Sequence, residues 1–170
     1  SLERPMIFNN NDRPGIMLSS AINKYADFYG VACGKKTIFF TNNDSAYESA
    51  YCLYNKGIKV EAIIDIRANS KIVKAVEDAG IKIYWSHSVV DTKGYKRLNS
   101  ISAMKLSNDG LSVIGQRINI SCDCLGVGGG WTPAVHLFTQ SGGKLQFDEE
   151  NKIFLPNKYP SKQISVGSCN

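Results

Sequence analysis

The stretch Thr37–Arg67 reads TIFFTNNDSAYESAYCLYNKGIKVEAIIDIR. A short apolar run from Thr37 to Phe40 enters a polar turn, and Ala46, Ala50 and Leu53 then recur at helical spacing. Gly57 is placed to end that helix, and KVEAIIDI (Lys59–Ile66) reads as a second strand carrying an acidic residue, Asp65, near its end. Strand, tight turn, helix and acid-tipped strand form the layout of a dinucleotide-binding βαβ unit.

The glycines of such a unit are missing. In a GxGxxG/A turn the first Gly permits the sharp bend, and the second lets the backbone approach a pyrophosphate. The third position lets helix and strand pack closely. Here those positions hold Thr41, Asn43 and Ala46. Ala46 is acceptable. Asn43 tolerates positive φ but places a side chain where phosphate must come close, and β-branched Thr41 suits the bend poorly. Asp65 lies 22 positions after Asn43, a spacing that suits a carboxylate bonded to ribose hydroxyls, while Arg67 is placed to meet a 2′-phosphate. The candidate nucleotide site is therefore Thr41, Asn42, Asn43, Asp44, Ser45 and Ala46 with Asp65 and Arg67, read as a degenerate turn that no longer binds strongly. On the plainer reading Asp65 simply ends a strand.

Working outward, DRPGIMLSSAINKYADFYGV starts as a turn (Asp12, Pro14, Gly15). It continues as a helix with Met17, Ala21, Tyr25 and Phe28 on its inner side and Gly30 at its end. Asp44 or Ser45 is expected to cap the helix after the turn. NSKIVKAVEDAG gives a second crossover helix, capped by Asn69 or Ser70, with Ile72, Val73, Val76 and Ala79 inward and Gly80 at its stop. IKIYW (Ile81–Trp85) is a third strand. Strands alternating with helices at these intervals predict an α/β fold with a Rossmann-like parallel sheet, βαβαβ.

From Gly94 to Leu125 the period changes to strand spacing, with the turn Asn108–Gly110 between two segments, which predicts an antiparallel β-meander. A strand-turn-strand around Leu145–Leu155 follows, and QISVGSCN reads as a last strand.

At 170 residues the chain is long enough for a buried core, and 43% hydrophobic with 21% charged residues is ordinary globular composition. No apolar run approaches the ~20 residues of a membrane span, and the first residues show no signal-peptide pattern. Five cysteines without framework spacing (33, 52, 122, 124, 169) favour reduced thiols and a cytosolic location. Cys122 and Cys124, two apart in an apparent strand, face the same side. Without a CxxC motif or a nearby His they read as small buried hydrophobes rather than a metal or redox pair. KGYKRL (Lys93–Leu98) reads as a solvated hairpin, not a nucleic-acid surface. His87 and His136 lack an evident orienting partner, and His136 is expected to be a packing residue. Gly128–Gly130 is either a phosphate cradle or a crossover between domains, with crossover preferred, and Trp131 reads as a core or interface aromatic.

The blocks ERPMIFNNNDRPGIML, TNNDSAYESAYCLYNKGIKVEAIIDIR and GGGWTPAVHLFTQSGGKLQFDE together closely resemble the α subunit of bacterial heterotetrameric sarcosine oxidase. The βαβ stretch alone is shared with the wider family of two-dinucleotide-domain flavoprotein reductases of the thioredoxin reductase type. In that architecture an NAD(P)-type domain is inserted into an FAD-type domain. The resemblance implies a linker and helix over 1–34 leading from the outer domain, the inserted domain over 35–127, and a return segment over 128–170. It further implies a middle piece of a longer subunit in a cytoplasmic complex. That complex uses FAD and FMN to oxidise sarcosine to glycine, formaldehyde and hydrogen peroxide, with tetrahydrofolate taking the one-carbon unit. NAD is implied in the outer domain, where only Gly167 and Ser168 of this chain match its later contacts. No catalytic residue carries over, so the chain itself is expected to be non-catalytic and to hold no cofactor tightly. Its partners are the other subunits and the remainder of its own. Two other readings stand beside this one: a pyridine-nucleotide-binding module, and the equivalent subunit of another amine or opine oxidase.

Overall fold

A computed structural model of the chain describes residues 1–70, 73–160 and 162–169. In chain order, β1 is Leu2–Glu3, β2 Ile16–Leu18, α1 Ser19–Phe28, β3 Thr37–Thr41, α2 Ser45–Asn55 and β4 Val60–Asp65. Next come α3 Lys74–Asp78, β5 Lys82–Trp85, β6 His87–Lys93, β7 Ser100–Leu106, β8 Val113–Ser121 and β9 Cys124–Gly128. The remaining elements are β10 Trp131–Thr132, α4 His136–Gln140, β11 Lys144–Asp148, β12 Ile153–Lys158 and a 3-10 turn, Gly167–Cys169. These elements group into two compact units, Pro5–Gly130 and a smaller one made of Ser1–Arg4 with Trp131–Asn170.

The larger unit has three layers. Its middle is a five-stranded, all-parallel sheet in the order β2-β9-β3-β4-β5. Every residue of β3 is buried, as expected of a parallel strand covered on both faces. Phe39, Ile63 and Cys124 point to the helix side, where they meet Ile22 and Ala26 of α1, Ala46, Tyr47, Ala50 and Leu53 of α2 and Val76 of α3. Ile38, Phe40, Ile64, Leu125 and Val127 point the other way, onto Val89, Ile101 and Ala103 of the antiparallel sheet β6-β7-β8. Burying one such Phe or Ile side chain contributes about 1.5–3 kcal/mol. Gly126 makes the Phe39 packing feasible, because a Cβ there would lie 2.6 Å from the Phe39 ring.

The parallel strands at 37–41, 60–65 and 82–85 and the meander follow the sequence pattern. Several details differ. Ile16–Leu18 is an edge strand paired in parallel with β9, so it extends the sheet and α1 begins only at Ser19. The inner face of α1 is consequently Ser19, Ile22 and Ala26, whereas Tyr25 and Phe28 are exposed. Within the larger unit, β2 and α1 build the edge of the sheet and its helical cover, whereas Ser1–Arg4 belongs to the smaller unit. The second crossover helix is only Lys74–Asp78, and Ile72 lies outside the described residues. The meander starts earlier than Gly94, at His87. Leu125 does not close it. The Asp123 carboxylate accepts the amides of Lys35 and Lys36 at 3.0 and 2.8 Å, breaking the chain between β8 and β9. That break sends β9 into the parallel sheet and puts Cys122 in the meander-side core and Cys124 in the helix-side core. The two thiols therefore do not face the same side.

The smaller unit pairs β1 with β10 and β11 with β12, both antiparallel. Phe147 and Phe154 face each other across the hairpin, with ring centroids 5.1 Å apart. Phe138 of α4 is buried and meets Tyr159 edge-on. His136, at the start of α4, is exposed and not a packing residue, because it is Phe138 that turns inward. The expected last strand does not form. Gly167–Cys169 is a 3-10 turn, with Ile164 and Val166 exposed and no strand paired to them among the described residues. Among the described residues no helix is long and apolar enough to cross a membrane.

Candidate nucleotide-binding site

In open parallel sheets, ligands bind outside the carboxyl ends of the strands where the strand order reverses. That point here lies between β3 and β9, with β4 and β5 on one side and β2 on the other. The residues around it are Thr41 at the end of β3, the turn Asn42–Asp44, the first turn of α2, and Gly128 at the end of β9. The structure brings Thr41, Asn42, Asn43, Asp44, Ser45, Ala46, Asp65 and Arg67 to this one end of the sheet. Gly167 and Ser168 belong to the smaller unit, where the Ser168 hydroxyl accepts the Ser1 ammonium at 2.9 Å.

The crevice is bridged by the chain's own groups. The Asn43 side-chain amide donates to the Gly128 carbonyl at 2.9 Å and to Asn42 Oδ1 at 3.1 Å. Its Oδ1 accepts the Ser45 amide at 3.1 Å and the Ser45 hydroxyl at 2.6 Å. The Asp44 side chain makes no capping bond to the helix; the Ser45 amide in its first turn is instead taken by Asn43 Oδ1. Thr41 Oγ1 lies 3.0 Å from the Gly128 carbonyl and 2.9 Å from that of Asn43, and it accepts the Asn43 amide at 3.0 Å. The Asn42 amide goes to Gly128 O at 3.2 Å. The amides of Asn42, Asn43 and Ser45 and the side-chain amide of Asn43, which lie where a pyrophosphate would sit, are thus engaged within the protein. Positive φ is not used here: Thr41 and Asn43 are not among the left-handed residues, so the bend needs no glycine.

The ribose end is closed in the same way. Asp65 is fully buried and accepts the Tyr47 hydroxyl at 2.8 Å, the Arg67 amide at 2.8 Å and the Arg67 guanidinium at 2.8 Å. The same guanidinium pairs with Asp44 Oδ1 at 2.7 Å, and Ser70 donates to that oxygen at 2.6 Å. Burial alone would raise the Asp44 carboxyl, but the Ser70 and Arg67 hydrogen bonds and the Arg67 charge hold it below the usual carboxylate range. Burial and then the bond to Asp65 push the Tyr47 phenol up. Arg67 is held charged, its desolvation outweighed by the two carboxylates.

Tyr47 and Ser70 carry no site signal in the sequence, and Gly128 stands there only within the run Gly128–Gly130. The run Gly128–Gly130 was the available signal, and it is buried, crosses out of the sheet, and supplies carbonyls rather than amides to the turn. Elsewhere, His87 Nδ1 lies 2.6 Å from the Trp85 carbonyl, and no carboxylate orients it among the described residues. Nor do the described residues group three or more His, Cys, Asp or Glu as a metal site.

No family model matches the chain. Among curated proteins it is 36% identical over 169 residues to the sarcosine oxidase subunit alpha of Corynebacterium sp. (strain P-1), covering 98% of this chain and 17% of that protein. It is 34% identical to the subunit of the same name from Rhizobium meliloti (strain 1021), covering 98% of this chain and 16% of that one. The chain thus spans about a sixth of the length of these relatives. Among solved structures, L-proline dehydrogenase from P. horikoshii aligns with a TM-score of 0.62 at 20% identity, over 92% of this chain and 24% of that one. Thioredoxin reductase from T. acidophilum aligns with a TM-score of 0.63 at 12% identity, over 97% of this chain and 57% of that one. These likenesses show the fold, a Rossmann-like parallel sheet with an antiparallel meander as found in flavoprotein reductases. Along almost its entire length, the chain is similar to one segment of the sarcosine oxidase α subunits.

Proposed function

We propose that this chain is an architectural, non-catalytic section of the α subunit of a flavin-dependent sarcosine oxidase. That enzyme converts sarcosine to glycine, formaldehyde and hydrogen peroxide, with FAD and FMN as its redox groups, in a cytoplasmic complex with other subunits. The observation carrying the non-catalytic reading is the Asn43 side chain, which spans from the Ser45 amide to the Gly128 carbonyl across the crevice where a dinucleotide would lie. The residues present do not fit NAD. The Asn42, Asn43 and Ser45 amides at the turn have partners within the chain, the Asp65 oxygens hold Tyr47 and Arg67, and Asp44 places a carboxylate, paired with Arg67, beside the helix end that would face phosphate. Gly167 and Ser168 remain the candidate contacts to an NAD held by the outer domain, in line with the family resemblance.

The purified chain tests this reading. Its expected absorption spectrum has no flavin band, and it produces no peroxide from sarcosine. A yellow protein, or peroxide formation above a heat-denatured control, contradicts it. The retained position of Asp65 and Arg67 at the ribose end favours a second reading, a pyridine-nucleotide-binding module. Asn43→Gly separates the two. Nucleotide affinity that persists or improves in this variant supports the module, and no affinity with either residue supports the architectural role.

A further inference from the structure

Cys33 lies in the connection between α1 and β3, and Cys124 opens β9. Far apart in sequence, their segments are held against each other. Asp123 accepts the Lys35 and Lys36 amides at 3.0 and 2.8 Å. The Asp123 and Cys124 amides donate back to the Lys36 carbonyl at 3.1 and 3.3 Å. Between these bonds and Cys33 stands Gly34, where a Cβ would lie 2.6 Å from the Cys124 Cβ. The backbone beside Cys33 therefore rests directly on Cys124. A disulfide spans Cα atoms ~4.4–6.8 Å apart and one residue step is ~3.8 Å, so the Gly34 contact puts Cys33 on the scale of a disulfide. Both side chains pack into the helix-side core, Cys124 fully buried and Cys33 half-buried. Burial first, and then the neighbouring Cys33 sulfur, push the Cys124 thiol up to about 12. Cys122 is not placed to join them, because it belongs to the meander-side core.

We propose that Cys33 and Cys124 are a redox pair that a hydroperoxide converts to a disulfide, stapling the α1–β3 connection to the start of β9. Cys33 is the group that meets the oxidant, since Cys124 has no exposed surface. The Cys33 thiolate attacks one peroxide oxygen, the O–O bond breaks, and Cys33 becomes a sulfenic acid. The other oxygen leaves as hydroxide and takes up the proton that Cys33 released. The Cys124 sulfur then attacks the Cys33 sulfur. An S–S bond forms, the S–O bond breaks, and the hydroxyl leaves as water with the Cys124 thiol proton. Two thiols lose two electrons, the peroxide gains them, and two waters result. Burial raises the Cys33 thiol, so thiolate is scarce at neutral pH and the first step is slow. The second step is intramolecular, between groups that the Asp123 and Gly34 contacts already hold together. Such a pair suits a lasting staple and not a rapid sensor. The link closes a long loop carrying β3 to β8, which restricts the unfolded chain.

Peptide mapping of the full chain tests the pair. The variant Cys52→Ser, Cys169→Ser removes the other two half-buried thiols and serves as the parent. It is treated while folded with excess hydrogen peroxide at pH ~8.5, near the ordinary thiol pKa, then alkylated in denaturant without reductant. A peptide linking Cys33 to Cys124 is expected as the dominant disulfide, and dithiothreitol is expected to remove it. The linked chain is expected to unfold at a higher urea concentration than the reduced one. Cys33→Ser in the same background is expected to leave Cys124 a free thiol. Cys124→Ala, which lacks the resolving sulfur, is expected to hold Cys33 as a sulfenic acid that a cyclic dione captures. Because Cys33 is only half-buried, its variant keeps the test decisive even where Cys124→Ala does not fold. Cys33 oxidised to sulfenic or sulfinic acid in the folded parent while Cys124 stays a free thiol overturns the pair. A main product that links Cys122, or a Cys33 that peroxide leaves untouched, overturns it as well. A linked chain that unfolds at the same urea concentration as the reduced chain overturns the staple.

Discussion

The side-chain amide of Asn43 donates to the backbone carbonyl of Gly128 over 2.9 Å, joining the end of β3 to the end of β9 across the reversal point of the sheet. One side chain both caps α2 and closes the crevice. Asn43→Ala removes the cap to Ser45 and leaves the Gly128 carbonyl with fewer donors. Urea unfolding is expected to show a loss of about 1–2 kcal/mol. An unchanged midpoint and slope would mean that water replaces the side chain without cost.

Arg67 is the sole ionic partner of the fully buried Asp65 carboxylate among the described residues. Arg67→Met is expected to destabilise the chain by about 3 kcal/mol or more, because an unpaired buried charge remains. In the background Asp65→Asn the same substitution should cost far less, so a double-mutant cycle reads the coupling directly. Additive effects would show that the pair is not energetically linked.

Asp44 and Asp123 are both held below the ordinary carboxylate range. In each, burial is outweighed by hydrogen bonds, from Ser70 and Arg67 to Asp44 and from the Lys36 and Lys35 amides to Asp123. A depressed folded value means that the contribution to stability is complete above the unfolded pKa of ~3.9 and is lost as pH falls through the folded value. Thermal unfolding midpoints are expected to be flat from neutral pH down to about 4 and to drop below it. Asp123→Asn is expected to shallow that drop.

Burial pushes the thiols of Cys122 and Cys124 up to about 12. Raised values favour the protonated form, so their contribution is intact at neutral pH and is lost as pH rises past ~8.5 toward the folded values. A thiol reagent at pH 8 is expected to modify only Cys33, Cys52 and Cys169 in the native chain, and all five cysteines after unfolding. Native-state labelling of Cys122 or Cys124 at the rate of an exposed thiol contradicts this.

The parts of the fold that could be read from the sequence are those set by local pattern. The apolar runs at Thr37–Phe40 and Ala62–Ile64 and the spacing of Ala46, Ala50 and Leu53 suffice for the βαβ unit. Ile16–Leu18 could not be read this way, because three apolar residues before a helix fit either element until β9 arrives to pair with them. Cys124–Gly128 merges in sequence with the alternating run before it, and the long-range contacts of Asp123 to Lys35 and Lys36 mark the separation. The same holds for the site. The sequence showed that Asn43 was too bulky for close phosphate approach. That it bonds Gly128 depends on β9 lying next to β3, and the occupation of Asp65 depends on Tyr47 turning inward. Long-range pairing decides both.

The nucleotide-type crevice is closed by the protein's own side chains. Calorimetric titration of the chain with NAD and NADP tests it most directly. Losing two good contacts of ~1.5 kcal/mol each weakens binding more than a hundredfold. No measurable heat, or at most millimolar binding, is therefore expected for either nucleotide. A dissociation constant in the low micromolar range, abolished by Asp65→Ala or Arg67→Ala in a folded variant, would contradict it.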